Sequence, residues 1–239
     1  QTAQTLSDVL PVVLEHNNYE QTYSDGWWQK LKGGSMCQAV LWNSRKDNGI
    51  GDIDICNIDL LNLYWESGVS DIQKSPNLFY LSLEDTEALK QRYPEFANKS
   101  GGDAITVSKY KYDDNVDTSE KSTVVDWYYK VWDGTKCKLH YCKFCGDTVL
   151  YASENDPEYA DRGFYDHGEY PFVIDTMFRV EGSPCGFGYI DIMKDCQMYI
   201  DKLNQVVLEH TVKMTNKRYF VKMNGNVNEA EFADQRKRF

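Results

Sequence analysis

The chain has 239 residues, with 37 acidic against 26 basic side chains and a net charge of −11. That balance excludes a general nucleic-acid clamp, whose affinity comes from Lys and Arg against phosphates. Hydrophobic residues at 41 % and aromatics at 14 % exclude a disordered chain, and no run approaches the roughly 20 apolar residues of a membrane span.

Residues 5–31 read as one helix. Leu6, Val9, Leu10, Val13 and Leu14 recur at three and four, and Tyr23 and Trp27 continue the stripe. Thr5 and Asp8 are spaced like a capping box, Pro11 is expected to kink or delay the helix, and Gly33-Gly34 ends it. Strands are expected at 36–42, 53–56, 61–65 and 78–83, with a turn at Asp47-Asn48-Gly49. Ser82 is expected to cap a short helix over 84–92, stopped by Pro94. Residues 98–103 and 113–121 are polar and loop-like.

The β-branched and aromatic run 124–132, the dipeptide Asp133-Gly134 and the return 136–144 predict a hairpin, with a third strand at 148–152. Residues 154–170 are too polar and broken for regular structure and read as a surface loop, followed by a strand at 171–178 and a flexible joint at 182–188. Tyr189, Ile192, Met193, Cys196, Ile200, Leu203 and Val207 then form a seam at three/four spacing. The helix it predicts, 189–213, would be about 37 Å long and suited to packing against copies or other long helices. A short strand at 219–223 and a last helix capped by Asn228 complete the reading.

The fold class is therefore α+β: an antiparallel sheet flanked by an N-terminal helix and a long C-terminal helix. The expected pieces are a helical segment 1–34, a mainly β domain 35–181, and a long helix with a basic terminal segment, 182–239. The charge changes sign along them. Residues 46–120 carry 15 acids and 7 bases, and 147–201 carry 12 and 3, whereas 202–239 carry 8 bases and 4 acids. Seven scattered cysteines with no visible secretory signal point to thiols in a reducing compartment. The first residue is Gln1, and Arg236-Lys237-Arg238-Phe239 reads as a helix cut in mid-run, so an excised piece of a longer protein is expected.

Candidate chemistry is sparse. Cys142-Lys143-Phe144-Cys145-Gly146 has the spacing at which two thiolates share a tetrahedral metal. A second CxxC is missing, and Cys137 and His140 crowd the same strand and turn. Ordinary sheet cysteines are the expectation, with zinc at Cys142 and Cys145 the alternative. Asp166-His167 with Glu169 has the makings of a base and its orienter but lacks a nucleophile. Asp52 and Asp54 share a strand face and suit either a cation or the solvent face of an edge strand. No phosphate-loop, dinucleotide, zincin or hydrolase motif is present. No catalytic residue and no cofactor is expected.

Several segments together resemble a known family. Asn48-Gly49-Ile50-Gly51-Asp52-Ile53 is followed by Ile58-Asp59-Leu60-Leu61-Asn62-Leu63-Tyr64-Trp65 and Val69-Ser70-Asp71-Ile72-Gln73-Lys74-Ser75. Later come Tyr170-Pro171-Phe172-Val173, Glu181-Gly182-Ser183-Pro184, Gly186-Phe187-Gly188, Asp195-Cys196-Gln197 and Ile200-Asp201-Lys202-Leu203-Asn204. Their order and spacing, across roughly residues 5 to 222, resemble the portal proteins of tailed bacteriophages and prophages.

The resemblance implies a wing-type sheet leading into a stem-type helix, within an internal fragment of a head-to-tail connector. It implies a homo-oligomeric ring, usually a dodecamer, at one capsid vertex of the virion, assembled in the bacterial cytoplasm. Double-stranded DNA would pass through the channel. Terminase, capsid and head–tail adaptor proteins would be the partners, with no membrane and no enzymatic activity. An acidic wall would repel phosphates, while Lys213, Lys217 and Arg218 would touch the backbone without reading bases, or simply complement the helix dipole. Two rival readings are of other classes. One is an acidic β module that binds carbohydrate on Trp27, Trp28, Trp65, Trp127 and Trp132. The other is a metal-binding regulator built on Cys142 and Cys145.

Overall fold

The computed structural model describes residues 2–94 and 121–215. Among them the protein is α+β, with antiparallel sheets, N-terminal helices and a long C-terminal helix. The chain divides into two compact units, Gln1–Asp191 and Ile192–Phe239.

The N-terminal stripe forms two helices, α1 (Thr2–His16) and α2 (Tyr19–Gly33). Thr5 and Pro11 lie inside α1 and neither starts nor stops it. The break falls instead at Asn18, whose φ of 47° places it in the left-handed region that Asn tolerates. Gly34 ends α2 at φ 84°, its N–H donating to the Lys30 carbonyl.

Strands divide between two main sheets. The first has the order β2-β1-β8, from β1 (Ser35–Asn43), β2 (Asp52–Ile58) and β8 (Phe172–Thr176). The second runs β3 (Leu63–Trp65), β4 (Asn77–Asp85), β5 (Lys121–Trp132), β6 (Cys137–Cys145) and β7 (Thr148–Ala152), each antiparallel to the next. A small ribbon pairs β9 (Phe178–Arg179) with β10 (Gly186–Phe187), and β10 lies inside the expected joint. The polar run 154–170 holds no strand, as expected, but it is packed: Phe164 donates its N–H to the Leu139 carbonyl at 2.6 Å and stacks on Tyr141.

The core lies between the two sheets. Cys37, Ala39, Ile58 and Phe172 from the first meet Leu63, Leu78, Tyr128 and Leu139 from the second. The Tyr128 and Phe172 rings meet edge to face at 5.3 Å. On the far side of the first sheet, α2 crosses β1 and β2, and the absence of a side chain at Gly26 lets it approach Met36 and Asn57. Lys30, buried beneath it, reaches Asp175 on β8 at 2.6 Å.

The short helix α3 (Thr86–Arg92) starts two residues later than the sequence suggests. Asp85 is its cap, accepting from the N–H groups of Glu87 and Ala88. Ser82 and Glu84 stay in β4, paired with Val124 and Ser122. Leu89 of α3 closes a second apolar cluster with Val124 and Cys145.

The last described element is α4 (Tyr189–Thr215), 27 residues long. The polar segments 98–103 and 113–120, the strand at 219–223 and the helix at Asn228 lie outside the described residues.

Candidate functional site

Two of the segments that carry the resemblance, 69–75 and 170–173, meet in a junction between distant parts of the first unit. Gln73 sits in a one-turn helix, Ile72–Lys74, capped by the Asp71 carboxylate. Its side-chain carbonyl accepts from the Tyr170 N–H at 2.8 Å, and its amide donates to the carbonyls of Tyr170 and Phe172 at 3.0 and 3.1 Å. One amide thus clasps the entry to β8, 97 residues away in sequence. The Tyr170 hydroxyl donates to the Ser75 carbonyl, and the Lys130 ammonium lies over the Tyr170 ring at 4.5 Å while donating to the Gln73 carbonyl. Burial holds the Lys130 ammonium below its ordinary pKa.

A second junction ties the helices to the edge of the first sheet. The Asn17 side-chain oxygen accepts from the Lys46 ammonium at 2.6 Å and from the Ile55 N–H at 3.2 Å. Lys46 also donates to the Ile53 carbonyl and pairs with Asp54 at 2.9 Å. Edge peptide groups of β2 are therefore occupied by side chains, which guards that edge against pairing with another chain. Beside it, Gly51 (φ 87°) lies under the Trp42 ring, where a Cβ would stand 2.6 Å from the indole. The other side of Trp42 faces an open groove of about 360 Å³ shared with Ile53, Tyr165, Pro171 and Val173.

A third polar cluster is half-buried on the second sheet. The Tyr141 hydroxyl donates to Asp126 at 2.5 Å, and Lys143 pairs with Glu84 at 2.6 Å and stands 3.9 Å from Asp126. Burial raises the Asp126 carboxyl above its ordinary range, against the lowering pull of Lys143 and the Tyr141 bond. The Tyr141 hydroxyl is raised as well, first by burial and then by the Asp126 charge.

Among the described residues, α4 presents a long exposed surface, and none of its residues is buried. Ile192, Met193, Ile200, Leu203 and Val207 of the seam are 49–66 % exposed. Lys213 is exposed in its last turn and lies 3.5 Å from Glu209, a helical i,i+4 pair. Lys217 and Arg218 lie outside the described residues.

The remaining candidates are not brought together. Cys142 lies opposite Trp127 on β6, half-buried, while Cys145 is buried in the cluster with Leu89 and Val124. Among the described residues no group of three or more His, Cys, Asp or Glu side chains is placed to share a metal ion. His140 is buried against Ser153, and Cys137 is exposed. Asp166 is taken by a two-pronged bond from Arg162, and the His167 Nδ1 accepts from the Glu169 N–H, so no base-and-orienter pair forms. Asp52 and Asp54 lie on an edge strand, one beside His16 and the other on Lys46.

The tryptophans do not form a row. Trp27 and Trp28 are on α2, Trp65 packs on the core from β3, and Trp127 and Trp132 point to opposite faces of β5. Trp127 instead stacks on Phe79 at 5.8 Å and meets the tilted Tyr129 ring at 4.4 Å, and Tyr129 stacks on His140. Trp28 and Trp132 are exposed, at 62 and 67 %, on different elements.

No family model matches the chain, and no curated protein matches it. The roles of Gln73, Lys46 and the Asp126–Lys143 pair carry no sequence signal, because tertiary packing brings Gln73 and Lys46 to Tyr170 and Asn17, and strand register brings Lys143 to Asp126. Among the described residues no helix is long and apolar enough to cross a membrane.

Proposed function

We propose that this chain is the wing-and-stem part of a phage portal subunit, a non-enzymatic component of a ring that conducts double-stranded DNA at the capsid vertex. The observation that carries the reading is α4: 27 helical residues with an apolar seam and no buried side chain. Burying a Leu, Ile, Val or Met from water is worth about 1.5–3 kcal/mol. A seam of this length left in water is therefore a strong drive to pack α4 against copies of itself. In a ring such contacts are heterologous and close by rotation.

The resemblance of the segments 48–75, 170–188 and 195–204 to portals supports the same reading, and the service of the first two as structural junctions suits a scaffold. The net charge of −11 suits a conduit that repels phosphates, with Lys213, Lys217 and Arg218 as sparse backbone contacts. Terminase, capsid and adaptor proteins would be the partners of the assembled ring, in the virion.

Electron microscopy of the full-length protein that carries this chain tests the proposal. Rings with a central hole are expected. A compact monomer at high concentration would overturn it.

A further inference from the structure

Two apolar surfaces of the first unit lack a partner among the described residues, and they suit each other. One is α1. Leu6, Val9, Leu10 and Val13 stand at i, i+3, i+4 and i+7, the spacing with which an amphipathic helix anchors in a groove. Leu6, Val9 and Leu10 are 59, 49 and 58 % exposed, and no residue of α1 is buried. Its root is nevertheless fixed, through Asn17 on β2 and through His16 at 3.7 Å from Asp52. From that root the helix is an arm of about 22 Å.

The other surface is the groove beside Trp42, with Trp42 63 % and Val173 58 % exposed. It is a built feature. The indole rests on Gly51, and the Val40 N–H donates to the Pro171 carbonyl. Two of the resembling segments, 48–53 and 170–173, meet there.

We propose that α1 of one copy lies in this groove of a second copy, as an exchanged arm. The inference deepens the ring reading and rests on the self-association that it requires. Charge argues for this occupant. Between Thr2 and Leu14 the arm carries one charge, Asp8, and no Asp, Glu, Lys or Arg lines the groove. In a chain of net charge −11, copies meet most easily where carboxylates are absent. Area argues for a ring. At half exposure, some eight apolar side chains give roughly 250–500 Å² of apolar area. Alone that is below the roughly 1,200 Å² of a stable complex, so the arm fits as one contact beside the α4 seam.

The test places the photo-crosslinking residue p-benzoylphenylalanine at Leu10 of the full chain, in an equal mixture of unlabelled and nitrogen-15-labelled copies. Mass spectrometry after irradiation is expected to find labelled-to-unlabelled products at residues 40–42 and 171–173. Val173→Glu is expected to cut their yield about tenfold or more, with the melting transition unchanged. Products confined to one isotopic chain would show the arm folding onto its own body and overturn the proposal. So would products elsewhere, their absence at high concentration, or a yield indifferent to Val173→Glu. Rings without these products sink the arm and leave the portal reading standing, whereas arm products in particles without a central hole do the reverse.

Discussion

Replacing Gln73 by alanine removes three hydrogen bonds at the entry to β8 while leaving the backbone bonds of the same turn in place. The lost contacts are the acceptance from the Tyr170 N–H and the donations to the Tyr170 and Phe172 carbonyls. Tyr170 and Phe172 are 3 and 1 % exposed, so water reaches their deserted groups only if the junction opens. At about 0.5–1.5 kcal/mol for each net bond, and about 1–3 for a buried group left unpaired, Gln73→Ala is expected to cost about 2–4 kcal/mol. With a urea slope of about 2 kcal/mol/M, the unfolding midpoint followed by tryptophan fluorescence falls by about 1–2 M. Gln73→Glu keeps the shape and the acceptance but turns a carboxylate toward two carbonyl oxygens. Its folded pKa rises above the ordinary value of about 4.3. The variant is therefore most stable below that value and loses stability as pH rises through the raised one. A Gln73→Ala stability within about 0.5 kcal/mol of the parent, or a Gln73→Glu variant as stable at pH 7 as at pH 4, would refute the clasp.

Lys143→Met leaves Asp126 buried without its cation and is expected to cost about 3–5 kcal/mol by chemical denaturation. Because burial raises the Asp126 carboxyl, its contribution to stability is present below the ordinary Asp range and is lost as pH rises through the raised value. Asp126→Asn should flatten that part of a plot of melting temperature against pH. Gly34→Ala must both hold φ 84° and drive a methyl into the backbone of Phe187. A thermal melt should register more than the roughly 1–2 kcal/mol of a left-handed residue alone. Leu203→Glu with Val207→Glu removes two exposed seam residues. Self-association of the parent protein, followed by sedimentation, should weaken about tenfold or more, with the monomer's melt unchanged.

The elements most legible in the sequence are those whose signals are local and agree. In the β5–β6 hairpin, β-branched and aromatic residues flank Asp133-Gly134, and the strands pair from Val125↔Phe144 to Trp132↔Cys137. The α4 seam keeps its three/four spacing from Tyr189 to Val207, and the helix runs on to Thr215. Misreadings arose where two local signals competed. The apolar stripe runs on past Asn17-Asn18, so the break there is hidden. The Asn17 side chain bonded to β2 and the left-handed Asn18 decide it. Pro11 lies inside α1 without ending it. Ser82 and Asp85 are both good caps, and pairing with β5 takes Ser82 into the strand. The junctions were invisible for another reason. A polar side chain bonded to a backbone 97 residues away leaves no periodicity behind. Asp126 and Lys143 become a pair only once the hairpin register is known.

The acidic balance also has a local cause that composition hides. Asp59, Asp71, Asp85 and Asp156 each accept a backbone N–H at the start of a turn or helix, from Leu61, Gln73, Glu87 and Glu158. These carboxylates are turn chemistry first and surface field second. Asn serves as well as Asp in that geometry. Converting all four to Asn therefore changes the net charge from −11 to −7 while keeping the caps, and stability is expected to move by no more than about 1 kcal/mol. The substitution separates fold from field. If the acidic body holds DNA off, the four-fold variant should retain duplex DNA in a co-sedimentation assay at low salt more than the parent does. The difference should shrink near 0.15 M salt, where the screening length is about 8 Å. Equal DNA retention at low salt would remove electrostatic repulsion from the argument for a conduit, leaving the reading to stand on α4 and its seam.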